Sequence, residues 1–281
     1  MILDPPHPVR PLGYKRLRLR RRLIQTIRCF PSNVRLIRHL LKRVRQPPHT
    51  LVFLYAREKT ASTSMEQALK EHYPSAFLRL HHISSYGSAN ILQLTLLLWM
   101  RLKPSLIITP LRNPWEQSMS TFMTYGGHYG RLPNLQETHV PIDAIIARYF
   151  RALPMIIAET DTWFDTSIKK NLSIDVFASP FPTEKGVNVY SHHRKKLLVL
   201  QTELPNTEKD HALATFIGIP NLTLPHANIG IDNPNHGKAY HQFKKTIRFT
   251  PQQADLVCSS RYFRHFYSPA FIEESRARWL A

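Results

Sequence analysis

Two short runs, Leu51–Tyr55 (LVFLY) and Ser105–Pro110 (SLIITP), are apolar on both of the faces a strand would present. A strand with one wet face alternates apolar and polar residues, so runs like these must be covered on both sides, as in a parallel sheet between helices. The segments around them fit that arrangement. Thr63–Glu71 reads as a helix, Phe77–Ile83 (FLRLHHI) as a second strand, Ala89–Leu102 as a helix and Trp115–Tyr125 as another. Ile142–Leu172 reads as helices, with Ile145, Ile146, Tyr149 and Phe150 on one face and Trp163, Phe164 and Ile168 after them. Phe177–Tyr190, with two prolines and Gly186, reads as a loop, and Lys196–Leu204 as a further apolar strand. Phe243–Leu280 is mostly helical and rich in aromatics. The expectation is an α/β fold of three layers, α/β/α, around a central, mostly parallel sheet. In such sheets ligands bind outside the carboxyl ends of the strands.

Charge divides the chain. The net charge is +19 over 281 residues, and residues 1–50 hold 13 Lys/Arg against the single acid Asp4. Arg16–Arg22 (RLRLRRR) is a charge block, and Val34–Arg45 (VRLIRHLLKRVR) mixes basic and aliphatic residues at helical spacing before Pro47-Pro48. Residues 1–48 are therefore expected to be a basic helical extension, and residues 49–281 the functional domain. The extension suits a solvated surface helix, an anionic membrane surface or an acidic polymer. Specific nucleic-acid binding is not expected, because no nucleic-acid module follows it. Two cysteines, Cys29 and Cys258, are too few for a disulfide framework. The longest apolar run, Ile91–Met100, is well short of the ~20 residues that span a bilayer. With the first apolar stretch broken by arginines, a cytoplasmic or membrane-peripheral location is expected.

Chemistry concentrates in two turns. The first, Arg57-Glu58-Lys59-Thr60-Ala61-Ser62-Thr63-Ser64, lies between a strand and a helix. A helix N-terminus offers N–H groups and a positive dipole end to an anion, Lys59 adds a cation, and Thr60, Ser62, Thr63 and Ser64 add hydroxyls. It is not a Walker A loop, since G-x-x-x-x-G-K-[ST] is absent. The plainer reading is a Ser/Thr turn that caps its helix. The second turn, Leu111-Arg112-Asn113-Pro114-Trp115-Glu116-Gln117-Ser118-Met119-Ser120, leaves the strand Ser105–Pro110. Arg112 and Ser120, two helical turns apart, can converge on one anion, and a guanidinium suits phosphate oxygens. The plainer reading pairs Arg112 with Glu116.

Taken together, K-T-A-S-T-S after one strand and L-R-N-P-x-x-x-x-x-S after a later one resemble the paired signature of sulfotransferases that use 3′-phosphoadenosine 5′-phosphosulfate. The first turn is most similar to the 5′-phosphosulfate loop of hexuronyl 2-O-sulfotransferases. Trp163, Ile174–Phe177, Phe181, Gly186, the strand before Glu203 and His265–Ser268 resemble, more weakly, a bacterial group of capsular polysaccharide synthesis proteins. The resemblance implies a P-loop sulfotransferase-like fold. It implies that Lys59 and residues Thr60–Ser64, Ala61 included, hold the phosphosulfate, that Arg112 and Ser120 hold the 3′-phosphate, and that a carbohydrate hydroxyl is the acceptor. The chain departs from the family at Glu58, where relatives often have proline, and at Ala61, where many have glycine. The family's R-K-G nucleotide element is missing, and Lys238 is a candidate substitute.

Sulfuryl transfer to a hydroxyl needs a base, and histidine serves near neutral pH. His81 and His82 end the second strand, and alternation turns one of them toward the site. His82 is favoured, because His-Ile-Ser-Ser-Tyr resembles the family segment after its second histidine; two structural histidines are the plainer reading. Glu203 ends a buried strand and either contacts the acceptor or pairs with a cation. No metal is expected, since neither H-E-x-x-H nor a Cys/His cluster occurs. The alternatives are a kinase, a glycosyltransferase or other nucleotide-dependent enzyme of surface polysaccharide synthesis, and a basic, non-enzymatic binder of polyanions.

Overall fold

The structure, a computed structural model, describes residues 51–72, 77–80, 104–130, 140–225 and 237–280. The N-terminal extension, the expected helix Ala89–Leu102 and His81 and His82 lie outside these residues. Strand β1 (Leu51–Tyr55) leads through the Lys59 turn into α1 (Ser62–His72), and β2 (Phe77–Leu80) follows. Strand β3 (Ser105–Leu111) leads into α2 (Pro114–Gly130). A long helix, α3 (Ile142–Trp163), runs on through a π-helical turn, Phe164–Lys169, to Leu172. Then come β4 (Val187–His192), β5 (Lys195–Gln201), α4 (Asn206–Ile217), α5 (Gly237–Thr246), α6 (Pro251–Cys258), α7 (Arg261–Phe266) and α8 (Pro269–Trp279).

The five strands form one sheet in the order β2-β1-β3-β5-β4. The first four of that order run parallel, and β4 pairs antiparallel with β5 at the edge. The sheet is therefore mixed. The segment Phe177–Tyr190, expected as a loop, contains the start of β4, whose residues are half-buried or exposed. An edge strand without an apolar run gives little signal. At its start Gly186 takes φ +61°, and its carbonyl accepts from the Gln201 N–H at 2.8 Å. The left-handed φ is what calls for glycine, and a Cβ there would also push on the ends of the Gln201 and Leu204 side chains, at 2.7 and 2.8 Å.

Both faces of the sheet are covered. Val52, Leu54, Ile108, Leu198 and Leu200 pack with Met65, Ala68 and Leu69 of α1 and with Leu213 of α4. The alternate residues Leu51, Phe53, Tyr55, Ile107, Leu111, Leu197 and Val199 face the larger core of α2, α3 and the C-terminal helices. Helix α2 buries Trp115, Met119, Phe122 and Met123, a single helical stripe. Trp115 meets Phe249 edge-on at 4.7 Å between ring centroids. The larger core thereby pins the first turn of α2 beside the end of β3.

This two-sided packing also sets how the chain leaves adjacent strands. From β1 the chain leaves to one face through α1, and from the adjacent β3 to the other through α2. Neighbouring strands whose connections diverge leave a crevice between them at their carboxyl ends. The Lys59 and Arg112 turns are the two lips of that crevice.

Candidate functional site

The first turn is anchored from below. Arg57 is buried, and its guanidinium donates to Gln117 Oε1 (3.2 Å), to the Ile156 carbonyl (3.3 Å) and to Thr160 Oγ1. Gln117 in turn donates through Nε2 to the Glu58 carbonyl at 3.1 Å, and Thr60 Oγ1 donates to the Arg57 carbonyl at 2.8 Å. Helices α2 and α3 thus hold the turn from the far side of the sheet. Hydrogen bonds to a buried charge contribute about 1.5–3 kcal/mol each, enough to hold an uncomfortable backbone in place.

The backbone is uncomfortable. Lys59 has φ +62° and Ala61 φ +53°, both in the left-handed region that non-glycine residues avoid. Each such residue costs about 1–2 kcal/mol. Changes of φ sign within a few residues curl backbone N–H groups into an anion-binding concavity. Helix α1 begins immediately after, at Ser62. Lys59 is half-buried, and its ammonium is held below its ordinary pKa, first by desolvation and then by the nearby Arg112, while Glu58 acts in the opposite direction. A lysine in that position is stabilised by an anion set between it and Arg112.

Arg112 links the two turns. Its Nη1 donates to the Lys59 carbonyl at 3.1 Å, and its Nη2 pairs with Glu116 Oε2 at 3.3 Å. The expected pairing of Arg112 with Glu116 is therefore present. Lys244 of α5 joins it, with Nζ at 2.7 and 2.8 Å from the two Glu116 oxygens. Tyr240, one helical turn earlier, is buried with its hydroxyl beside Ser120 and the Arg112 guanidinium, yet no hydrogen bond of normal geometry satisfies it. Burial pushes its pKa up to about 12, so it stays protonated as a donor.

Three main-chain N–H groups of the second turn, those of Arg112, Asn113 and Trp115, are already engaged. The Arg112 N–H donates to Tyr262 Oη at 3.1 Å, and that hydroxyl faces the Arg112 carbonyl at the same distance. The Asn113 N–H donates to Glu203 Oε1 at 2.7 Å, and the Trp115 N–H to Asn113 Oδ1 at 2.9 Å. Tyr267 donates to the other Glu203 oxygen at 3.0 Å. Glu203 lies just past the end of β5 and is exposed as a residue, but protein surrounds its carboxylate on most sides. Desolvation raises its pKa, against the lowering influence of its hydrogen bonds and of Arg112.

Of the residues singled out in sequence, Lys59, Thr60, Ala61, Ser62, Thr63, Ser64, Arg112 and Ser120 lie on the two turns and the helices they start. Lys238 lies in the first turn of α5, and its side chain is outside the description. Glu116, expected only as the partner of Arg112, joins the site as well. Tyr240, Lys244, Tyr262 and Tyr267 were missed as site members. They reach the crevice from α5, α7 and the residue just past α7, and no local motif marks them. Among the described residues no cluster of His, Cys, Asp and Glu could hold a metal, and no helix is long and apolar enough to cross a membrane.

No curated protein and no solved structure matches the chain. A family model does match, described as "Putative capsular polysaccharide synthesis protein", over residues 145–268. That segment carries Thr160, Glu203, Tyr240, Lys244, Tyr262 and Tyr267, while the Lys59 and Arg112 turns lie before it. The helical half of the crevice, from α3 to α7, is thus the part of this chain similar to that family.

Proposed function

We propose that the chain is an enzyme of surface polysaccharide synthesis that sulfates a glycan, with 3′-phosphoadenosine 5′-phosphosulfate as donor. The observation that carries this reading is the hydrogen bond from Arg112 Nη1 to the Lys59 carbonyl. It brings two cation-bearing turns together at the crevice where the connections of adjacent parallel strands diverge. A nucleotide with phosphates on both ends of its ribose has a group for each turn. The family similarity over residues 145–268 supports the polysaccharide part of the reading.

In this mechanism a glycan hydroxyl attacks sulfur in line with the bond to the 5′-phosphate. The new bond joins the acceptor oxygen to sulfur, and the bond from sulfur to the bridging oxygen breaks. Adenosine 3′,5′-bisphosphate leaves with the electron pair. Lys59 stabilises charge on the departing oxygen, helped by N–H groups and hydroxyls of the turn and of the start of α1. Arg112 and Ser120 take the 3′-phosphate. His82 takes the acceptor proton, with His81 as its neighbour. Strand β2 delivers the chain toward that edge, since Leu80 pairs with Tyr55.

The test is calorimetric titration of the full chain with adenosine 3′,5′-bisphosphate, ATP and a nucleotide sugar. The bisphosphate should bind most tightly, and Lys59→Ala should weaken it by about 2–3 kcal/mol, the value of hydrogen bonds to a charged group. Binding of the nucleotide sugar alone would overturn the donor assignment. It would establish the second reading, a glycosyltransferase, which the family description favours because it specifies polysaccharide synthesis and no donor.

A further inference from the structure

We infer that Glu116 is a resident counter-anion in a phosphate subsite built by Arg112, Ser120, Tyr240 and Lys244, and that its carboxylate sets how much charge a ligand needs to enter. The inference rests on the proposed reading that this crevice binds phosphate.

The cluster has the composition of an anion site that already contains an anion. Glu116 accepts from Lys244 Nζ through both oxygens, at 2.7 and 2.8 Å, and pairs with Arg112 Nη2 at 3.3 Å. Arg112 comes from the end of β3 and Lys244 from α5, so the carboxylate gathers cations from distant parts of the chain. Here the side chains of Arg112, Glu116 and Lys244 keep 24%, 20% and 30% of their surface open to solvent, so a ligand can reach all three. Tyr240 adds an independent sign. Its hydroxyl is buried beside Ser120 and the Arg112 guanidinium, without a hydrogen bond of normal geometry, and faces the same point as they do. A phosphate oxygen brought between Arg112 and Ser120 would supply the acceptor.

Charge then decides selectivity. Two cations against one carboxylate leave the cluster with a net single positive charge. An incoming anion must compete with Glu116 for the same N–H donors. A phosphate monoester, close to doubly charged at neutral pH, outcompetes a carboxylate; a singly charged sulfate ester or phosphodiester does not. Glu116 is therefore a specificity-determining residue that admits terminal phosphate and rejects weaker anions.

The test titrates the full chain with inorganic pyrophosphate and with methyl sulfate, in wild type and Glu116→Gln. Glutamine keeps the shape and removes the charge. Pyrophosphate should bind at least tenfold tighter to Glu116→Gln, methyl sulfate should become measurable, and Glu116→Gln/Lys244→Met should lose the gain. Lys244→Met alone should weaken pyrophosphate several-fold, which keeps the inference testable if Glu116→Gln folds poorly. Unchanged or weaker binding in Glu116→Gln, or an unaffected Lys244→Met, would make Glu116 a clamp that merely orders its cations. The donor assignment is read separately. A gain for pyrophosphate with no preference for adenosine 3′,5′-bisphosphate over ATP keeps the subsite and removes the donor. That preference without the gain does the reverse.

Discussion

The two strand-to-helix turns look alike in sequence and work differently. In the Lys59 turn the backbone is forced into left-handed geometry at two residues and held there by Arg57 and Gln117. In the Arg112 turn the backbone is relaxed, and its N–H groups are spent on Tyr262, Glu203 and Asn113. In the proposed reading the side chains of the second turn and of α5, rather than those N–H groups, meet the ligand. In the proposed reading the first turn is a backbone cradle with one lysine, and the second is a side-chain clamp. A strand, a turn and a helix N-terminus do not by themselves make an anion site; what matters is whether the protein has already filled the donors.

The strongest way to break this contrast is to remove the support of the first turn. Arg57→Met should lower stability by about 3 kcal/mol, since it leaves Gln117, Thr160 and the Ile156 carbonyl without their buried partner. In denaturant titrations the loss should come with weaker binding at Lys59. If anion affinity is untouched, the cradle does not depend on its anchor.

A smaller, pH-dependent effect should mark the second turn. The folded pKa of Glu203 is raised, so the folded state binds its proton more tightly than the unfolded state does. Its favourable contribution is complete below the ordinary carboxylate range and is lost as pH rises through the folded value. Glu203→Gln should flatten the fall of stability across that window. Melting curves from pH 4 to 7 would show this, and parallel slopes for the two proteins would contradict it.

The smallest change should come from Ala61→Gly. Glycine accepts positive φ without penalty, so thermal unfolding should show a gain of up to about 1 kcal/mol. A loss would mean that the alanine methyl group packs in a way its exposure does not suggest.

Much of the frame could be read before the structure, and for definable reasons. Leu51–Tyr55 and Ser105–Leu111 were legible because both faces are buried, and α2 because one stripe carries Trp115, Met119, Phe122 and Met123. The expected end of that helix, Tyr125, is where its backbone departs from helical geometry, at φ −118° and ψ 20°. Strand β4 escaped because an exposed edge carries no hydrophobic signature. Strand β5 ends at Gln201, three residues before the apolar pattern does, which leaves Glu203 outside the ladder. The turns announced themselves through Lys59, the hydroxyls and Arg112. Their partners did not, because Tyr240, Lys244, Tyr262 and Tyr267 depend on how α5, α7 and the chain beyond α7 pack. No spacing rule links position 116 to position 244.

The pairing of β3 with β5 has a consequence for synthesis. Seven residue pairs join Ser105–Leu111 to Lys195–Gln201. On the ribosome β3 must wait for roughly eighty residues before its partner emerges, on the order of ten seconds at typical elongation rates. During that interval one side of a very apolar strand is an open edge, a template for pairing with another chain. Poor recovery from fast expression, improved by slower translation or by added chaperone, would be the practical mark of this topology.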